Sequence, residues 1–285
     1  MKKIISWIIC AALLLPLFGL AAQARGAEQT SFVVLGDSIA AGTMNIKSQT
    51  YARIIAREKN YKLSNFGEDG DGTADLLRKI TTNKAMRRAV SCADIIAISV
   101  GGNDLRYAEE GLTNLMVSGL LGDYGPMAPT VRTYAENFAK IIDEIYALNP
   151  DVRLIVQTLY NPAFPLPALH EAYAAGVGAI NDTIYAYLEA NEGAYVIADV
   201  FSAFEQRSGL VLFDMMHPSP AGHALISEVL LDVIDGTQTP LPPAGIWDYL
   251  VDVGEPLFAP LDWVLVEAAR LLHRLLGPVW TLIKF

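Results

Sequence analysis

Between residues 31 and 235, short apolar runs alternate with segments whose apolar positions recur at helical spacing. The runs predict strands at Phe32 to Leu35, Lys62 to Asn65, Ile95 to Val100, Leu154 to Thr158 and Tyr195 to Ala198. Helical spacing fills the gaps at Gln49 to Lys59, Thr73 to Val90, Val131 to Leu148, Ala168 to Ala190 and Pro220 to Ile234. Such alternation builds a parallel sheet covered by helices on both faces, so the fold class predicted is α/β, with three layers and about five strands.

Three stretches depart from this rhythm. Lys2 and Lys3 precede an apolar run from Ile4 to Leu20 broken by Pro16 and Gly19, and Ala22-Gln23-Ala24 follows. That order reads as a secretory signal peptide over residues 1–24, which places the mature chain outside the cell or in its envelope; an uncleaved membrane anchor is the competing reading. Residues 104–130 carry more Gly, Met and Leu than a solvated loop needs, and either roof a pocket or pack as a short helix on the core. After residue 235 a linker, TQTPLPPAG, leads to WVLVEAARLLHRLLGPVWTLIKF, where Glu267, Arg270 and Arg274 punctuate an otherwise wide apolar face. Such a helix must be covered by the main domain, by a second copy, or by a membrane surface met through residues 257–285. The organisation predicted is a leader (1–24), one domain (25–235), and a linker with an amphipathic helical tail (236–285).

Charge narrows the choice of partner. The formal net charge is −10, and removing the leader takes away two lysines and no acid, giving −12. A surface this acidic repels phosphate backbones, and nothing larger than Arg87-Arg88 offsets it, so nucleic acid is not an expected partner. With Cys10 in the leader, Cys92 is alone in the mature chain; no intramolecular disulfide can form, and its place beside an apolar strand predicts a small core residue.

Candidate chemistry starts at FVVLGDSIAAG, where the first strand ends in Gly36, Asp37 and Ser38. Ligands of doubly wound sheets sit beyond the carboxyl ends of the strands, so Ser38 is either a reactive hydroxyl or the cap of a short helix. A serine needs a base, and of the four histidines only His217 combines a turn with a nearby carboxylate: in FDMMHPSPAGH, Asp214 precedes it by three residues. That offset lets the carboxylate accept from Nδ1–H and leaves Nε2 free to take a proton, although a capping turn with a surface histidine has the same sequence. Oxyanion donors could come from NFGEDGDG after the second strand, with Gly67, Gly70 and Gly72, and from Asn103 in VGGND after the third.

Taken in order, GDS at 36–38, the glycine turn, GGND at 101–104 and DMMHP at 214–218 resemble the blocks of the SGNH, or GDSL, family of serine hydrolases, from about residue 31 to 235. The resemblance implies a doubly wound, flavodoxin-like sheet and a Ser-His-Asp triad of Ser38, His217 and Asp214. The oxyanion hole it implies is the Ser38 N–H, the Gly70 N–H and the Asn103 amide. Gly70 is chosen because the family pattern sets its glycine five residues after the asparagine ending strand two, here Asn65, and before an acid, here Asp71. LYNP at 159–162 points toward the secreted or envelope lipase/acylhydrolase-like members, and no cofactor is implied. The tail lies outside the pattern, and the absence of G-x-S-x-G argues against the α/β-hydrolase fold.

The function expected is that of a secreted serine ester hydrolase working through an acyl-enzyme, on a small-molecule or lipid ester. A carbohydrate O-acetylesterase, an envelope interaction protein with a relict hydrolase domain, and a flavodoxin-like flavin binder are the alternatives; the last leaves Asp214, His217 and Asn103 without roles. His217 and His223 are six residues apart, a poor ligand spacing, and neither H-E-x-x-H nor C-x-x-C occurs, so no metal is expected. Oligomeric state is not encoded in any of these features.

Overall fold

The computed structural model describes residues 29–107, 122–123, 125–162, 167–205 and 207–237. The predicted leader, nearly all of the tail with His273, and most of the 104–130 stretch lie outside the described residues.

Five strands form one parallel sheet in the order β2-β1-β3-β4-β5: β1 Ser31–Gly36, β2 Lys62–Gly67, β3 Ile95–Ser99, β4 Arg153–Gln157 and β5 Val196–Ala198. Helices between them are α1 Ser38–Ala41, α2 Tyr51–Glu58, α3 Thr73–Thr82, α4 Lys84–Ser91, α5 Gly102–Tyr107, α6 Ala128–Leu148, α7 Pro167–Ala190, α8 Val200–Phe204 and α9 Pro220–Asp235. The β1, β3 and β4 runs are apolar because both of their faces are covered, as parallel strands require.

Side-chain alternation sends each strand's residues into two separate cores. Val33, Leu35, Ile96, Ile98, Leu154 and Val156 meet Leu76, Ile80, Met86, Phe138 and Ile180 from α3, α4, α6 and α7. Phe32, Val34, Ile95, Ala97 and Ile155 face the other way, onto Tyr51, Ile55, Phe204, Ile226 and Leu230 from α2, α8 and α9. These are the three predicted layers. Truncating any of the fully buried Leu or Ile side chains to Ala should cost about 2–5 kcal/mol.

Two local expectations are corrected. The segment predicted as one helix from Thr73 to Val90 is two, because the Asn83 side chain turns back to accept from the Ala85 and Met86 N–H groups and starts α4 afresh. Cys92, expected in the core, is exposed: it closes the end of α4, and its neighbour Ala93 fills the buried position. In addition, β2 runs on to Gly67 and does not stop at Asn65, since Leu35 and Gly36 still pair with Phe66 and Gly67.

Candidate active site

From β1 the chain crosses to β2 on one side and then to β3 on the other, so the loops after β1 and β3 diverge at the sheet's topological switch point. Ser38 follows β1 there. The turn depends on Gly36, whose φ of +148° lies outside ordinary L-residue space and whose missing Cβ would sit 2.1 Å from the Ser99 carbonyl oxygen. Asp37, not Ser38, then caps α1: its Oδ1 accepts from the Ile39 N–H at 2.9 Å. The cap is thereby supplied without the serine, and no hydrogen bond among the described residues uses the Ser38 hydroxyl. Burial pushes the Asp37 carboxyl up to about 7 against the lowering effect of the Ile39 N–H, with Asp104 and Asp71 adding repulsion.

The glycine turn after β2 is braced from several sides. Asn65 Nδ2 donates to the Ala40 carbonyl at 2.7 Å, and Asn65 Oδ1 accepts from the Gly67 N–H at 2.9 Å. Gly70 has φ of +84°, with open space where a Cβ would point. Lys79 grips both Asp71 oxygens, at 2.8 and 2.6 Å, and also bonds Glu68. Burial raises the Asp71 carboxyl, and Lys79 only partly restores it.

On the β3 side, Gly101 has φ of +139°, and a Cβ there would lie 2.8 Å from the Tyr134 ring, so the chain can turn tightly into α5. This presents Asn103, which is buried and donates from Nδ2 to the Asp71 carbonyl at 3.0 Å. One of its two amide hydrogens is thus spent on orientation, and the other has no acceptor among the described residues. Neither the Ser38 N–H nor the Gly70 N–H donates to any backbone carbonyl among the described residues. Asp104 accepts from the Thr73 N–H at 2.9 Å and from its hydroxyl, tying α5 to α3; burial raises its carboxyl nonetheless.

The third loop is a tight turn closed by Leu212 N–H donating to the His217 carbonyl at 2.8 Å and by a bridge between Val211 and Pro218. Ser219 caps α9, and Gly222 lets that helix start against the Leu210 carbonyl, 2.1 Å from where a Cβ would lie. Asp214 Oδ1 accepts from the Met216 and His217 N–H groups, both at 3.1 Å, and Oδ2 lies 2.5 Å from His217 Nδ1. Burial works to raise the Asp214 carboxyl, but the His217 side-chain and backbone donors outweigh it and hold the group below its ordinary value.

Three links bring this turn to the serine side. Asn45, just beyond α1, donates to the Pro218 carbonyl at 2.8 Å; the Tyr160 hydroxyl donates to the Met216 carbonyl at 2.5 Å; and Arg106 Nη1 donates to Met216 Sδ at 3.0 Å. No hydrogen bond joins Ser38 to His217. Ser38 and Asn103 line one largely apolar cavity together with Leu105, Arg106, Leu159, Tyr160, Tyr173 and Met216. Gly70, Asp214 and His217 are not among its lining residues; their loops reach it through Asn103's partner Asp71 and through Met216.

Sequence reasoning missed Arg106, Tyr160 and Met216. The signal within reach was position: Arg106 stands one helical turn after Asn103, and Met216 one residue before His217. His223, by contrast, is a core residue: fully buried, stacked on Tyr51, accepting from the Tyr51 N–H at 3.4 Å, and pushed down to about 4 by burial. Among the described residues no group of three or more His, Cys, Asp or Glu side chains is placed to hold a metal ion.

Comparison with known proteins gives one family. A family model described as GDSL-like lipase/acylhydrolase matches residues 34–225. The uncharacterized protein YpmR of Bacillus subtilis is 26% identical over 223 residues, covering 74% of this chain and 84% of its own. Among solved structures, a lipase from a goat rumen metagenome superposes with a TM-score of 0.58 at 23% identity, over 71% of this chain and 96% of its own. A phospholipase A1 from Streptomyces albidoflavus gives 0.54 at 17% identity, over 72% and 99%. At these identities the structures speak to the fold alone.

Proposed function

Because the chain belongs to the GDSL-like lipase/acylhydrolase family, we propose that it is an exported serine ester hydrolase that works through an acyl-enzyme on acyl esters. The observation that carries this reading is the placement of an uncapped Ser38 hydroxyl and a buried Asn103 amide on one cavity, at a switch point to which the Asp214–His217 turn is tied by Asn45, Tyr160 and Arg106.

In the proposed cycle Ser38 attacks the ester carbonyl while His217 Nε2 takes its proton. Asp214 accepts from Nδ1–H, fixes the tautomer and stabilises the imidazolium that forms. The Ser38 N–H, the Gly70 N–H and the second amide hydrogen of Asn103 point at the oxygen as it becomes an oxyanion. His217 then returns the proton to the leaving alcohol, and water repeats the sequence on the acyl-enzyme. The missing Ser38–His217 hydrogen bond suits a resting site, since such bonds often tighten only with substrate present.

Export rests on the leader-like first 24 residues, and preference for acyl chains over sugars rests on the apolar cavity wall of Leu105, Leu159 and Tyr173. Hydrolysis of p-nitrophenyl esters from acetyl to palmitoyl tests the reading. Turnover that lengthens its preference beyond acetyl is expected; faster release of acetate from xylan or peptidoglycan than from any acyl ester would move the substrate to carbohydrate.

A further inference from the structure

Large apolar side chains are exposed at seven places among the described residues, and five of them, Met44, Ile46, Tyr107 at the end of α5, Phe213 and Met215, lie on the segments that build the candidate active site. Met44 and Ile46 flank Asn45, whose side chain holds the Pro218 carbonyl; Phe213 and Met215 flank Asp214; Tyr107 follows Arg106, which holds Met216. The five therefore belong to one stitched set of segments beside the residues that line the cavity, Arg106 and Met216 among them, and Phe213 and Met215 also line a second, neighbouring hollow with Pro162 and Leu212. Phe213 is 87% exposed and Ile46 68%, values that water alone penalises.

Backbone strain falls in the same place. Only three non-glycine residues among those described have positive φ, and two are Met44 at 63° and Met215 at 52°. The left-handed region costs an unbranched L-residue about 1–2 kcal/mol. Strain of this kind persists where the surrounding structure demands it, and here both strained residues are exposed methionines.

Arg106 lines the cavity beside that rim. Arg106 lies across the Tyr107 ring at 5.2 Å and against Met216 Sδ, and among the described residues no carboxylate forms an ion pair with it, in a chain whose net charge is −10. An apolar rim beside a guanidinium that has no ion pair among the described residues complements a phospholipid surface: the rim enters the acyl boundary and the arginine meets phosphate.

We propose that the segments carrying Met44, Ile46, Tyr107, Phe213 and Met215 dock the active-site mouth on a phospholipid surface, with Arg106 contacting lipid phosphate. The proposal rests on the ester-hydrolase reading for its purpose, though not for its binding step. It delivers an acyl ester from the lipid layer directly to the cavity.

The test compares the full-length chain with the double variant Ile46→Ser/Phe213→Ser, using phosphatidylcholine vesicles with and without an embedded acyl ester and a short water-soluble ester as control. Vesicle binding, read by flotation, should weaken at least about tenfold in the double variant. Hydrolysis of the embedded ester should fall with it, while soluble-ester turnover stays within about twofold. Arg106→Gln should weaken binding to these vesicles more than to uncharged-detergent micelles. Equal vesicle binding by wild type and double variant, or no vesicle binding by wild type, would overturn the proposal. Vesicle binding that depends on the rim in a chain that hydrolyses no ester would uphold docking while removing the hydrolase reading.

Discussion

Asn103 gives one amide hydrogen to the Asp71 carbonyl, 3.0 Å away, and so arrives at the cavity already oriented, its other hydrogen without an acceptor among the described residues. Preorganisation of this kind is what makes an oxyanion donor effective, because no reorganisation is required when charge develops. Asn103→Ala is expected to lower kcat for a soluble ester by about 10²–10³-fold with little change in KM. Steady-state kinetics on the variant check this; an unchanged kcat would contradict the oxyanion role proposed for Asn103.

His217 is held by Asp214 through its ring and its backbone at once, with both Asp214 oxygens engaged. Asp214→Asn keeps the shape but can present the wrong hydrogen to Nδ1, so kcat should fall on the order of 10⁴-fold while the fold survives. Circular dichroism beside the kinetics separates the two effects. The lowered Asp214 carboxyl also contributes stability that is present above its ordinary value of 3.8 and is lost as pH falls through the folded value.

Asp37 and His223 pull stability in opposite directions with pH. Asp37 is raised from 3.8 to about 7, so its contribution is full below pH 3.8 and is lost as pH rises through 7. His223 is lowered from 6.5 to about 4, so its contribution is present above 6.5 and is lost as pH falls through 4. Over pH 4 to 6.5 the two slopes oppose each other. Asp37→Asn, which keeps an oxygen to accept from Ile39, should leave the His223 slope exposed, with stability rising by roughly 3 kcal/mol across that window. Denaturant unfolding at several pH values measures it, and an unaltered pH profile would show that Asp37 is not the buried titrating group.

Gly36 is expected to accept no side chain. A Cβ at 2.1 Å from the Ser99 carbonyl, on a backbone at φ of +148°, must push β1 from β3 at the point where Ser38 is set. Gly36→Ala should cost on the order of 3 kcal/mol or more and abolish activity in whatever folds; thermal melting of the variant reads the first and ester turnover the second.

Strands β1, β3 and β4 could be read from the sequence because parallel strands buried on both faces are written as apolar runs, as Phe32 to Leu35 and Ile95 to Ser99 are, whereas the edge strand β2, KLSNFG, is only partly buried. The Ser38, Asn103 and Asp214–His217 positions could be read because each sits at a turn that glycine or proline marks. What the sequence concealed is tertiary. The polar stretch TTNK at 81–84 has the same sequence as an exposed turn of one continuing helix until Asn83 is seen to cap a second, and Cys92 differs from buried Ala93 by one position at a helix end. The cavity wall of Arg106, Tyr160 and Met216 comes from three distant segments, and only folding brings the Tyr160 hydroxyl to the Met216 carbonyl.

The central claim is that Ser38 is the nucleophile, and covalent labelling tests it most directly. Wild type and Ser38→Ala treated with a fluorophosphonate and read by intact-protein and peptide mass spectrometry should differ by one phosphonyl group on Ser38, formed in wild type and absent from the variant, with ester turnover lost in parallel. Labelling at another residue, or a Ser38→Ala protein that still hydrolyses esters at the wild-type rate, would contradict it.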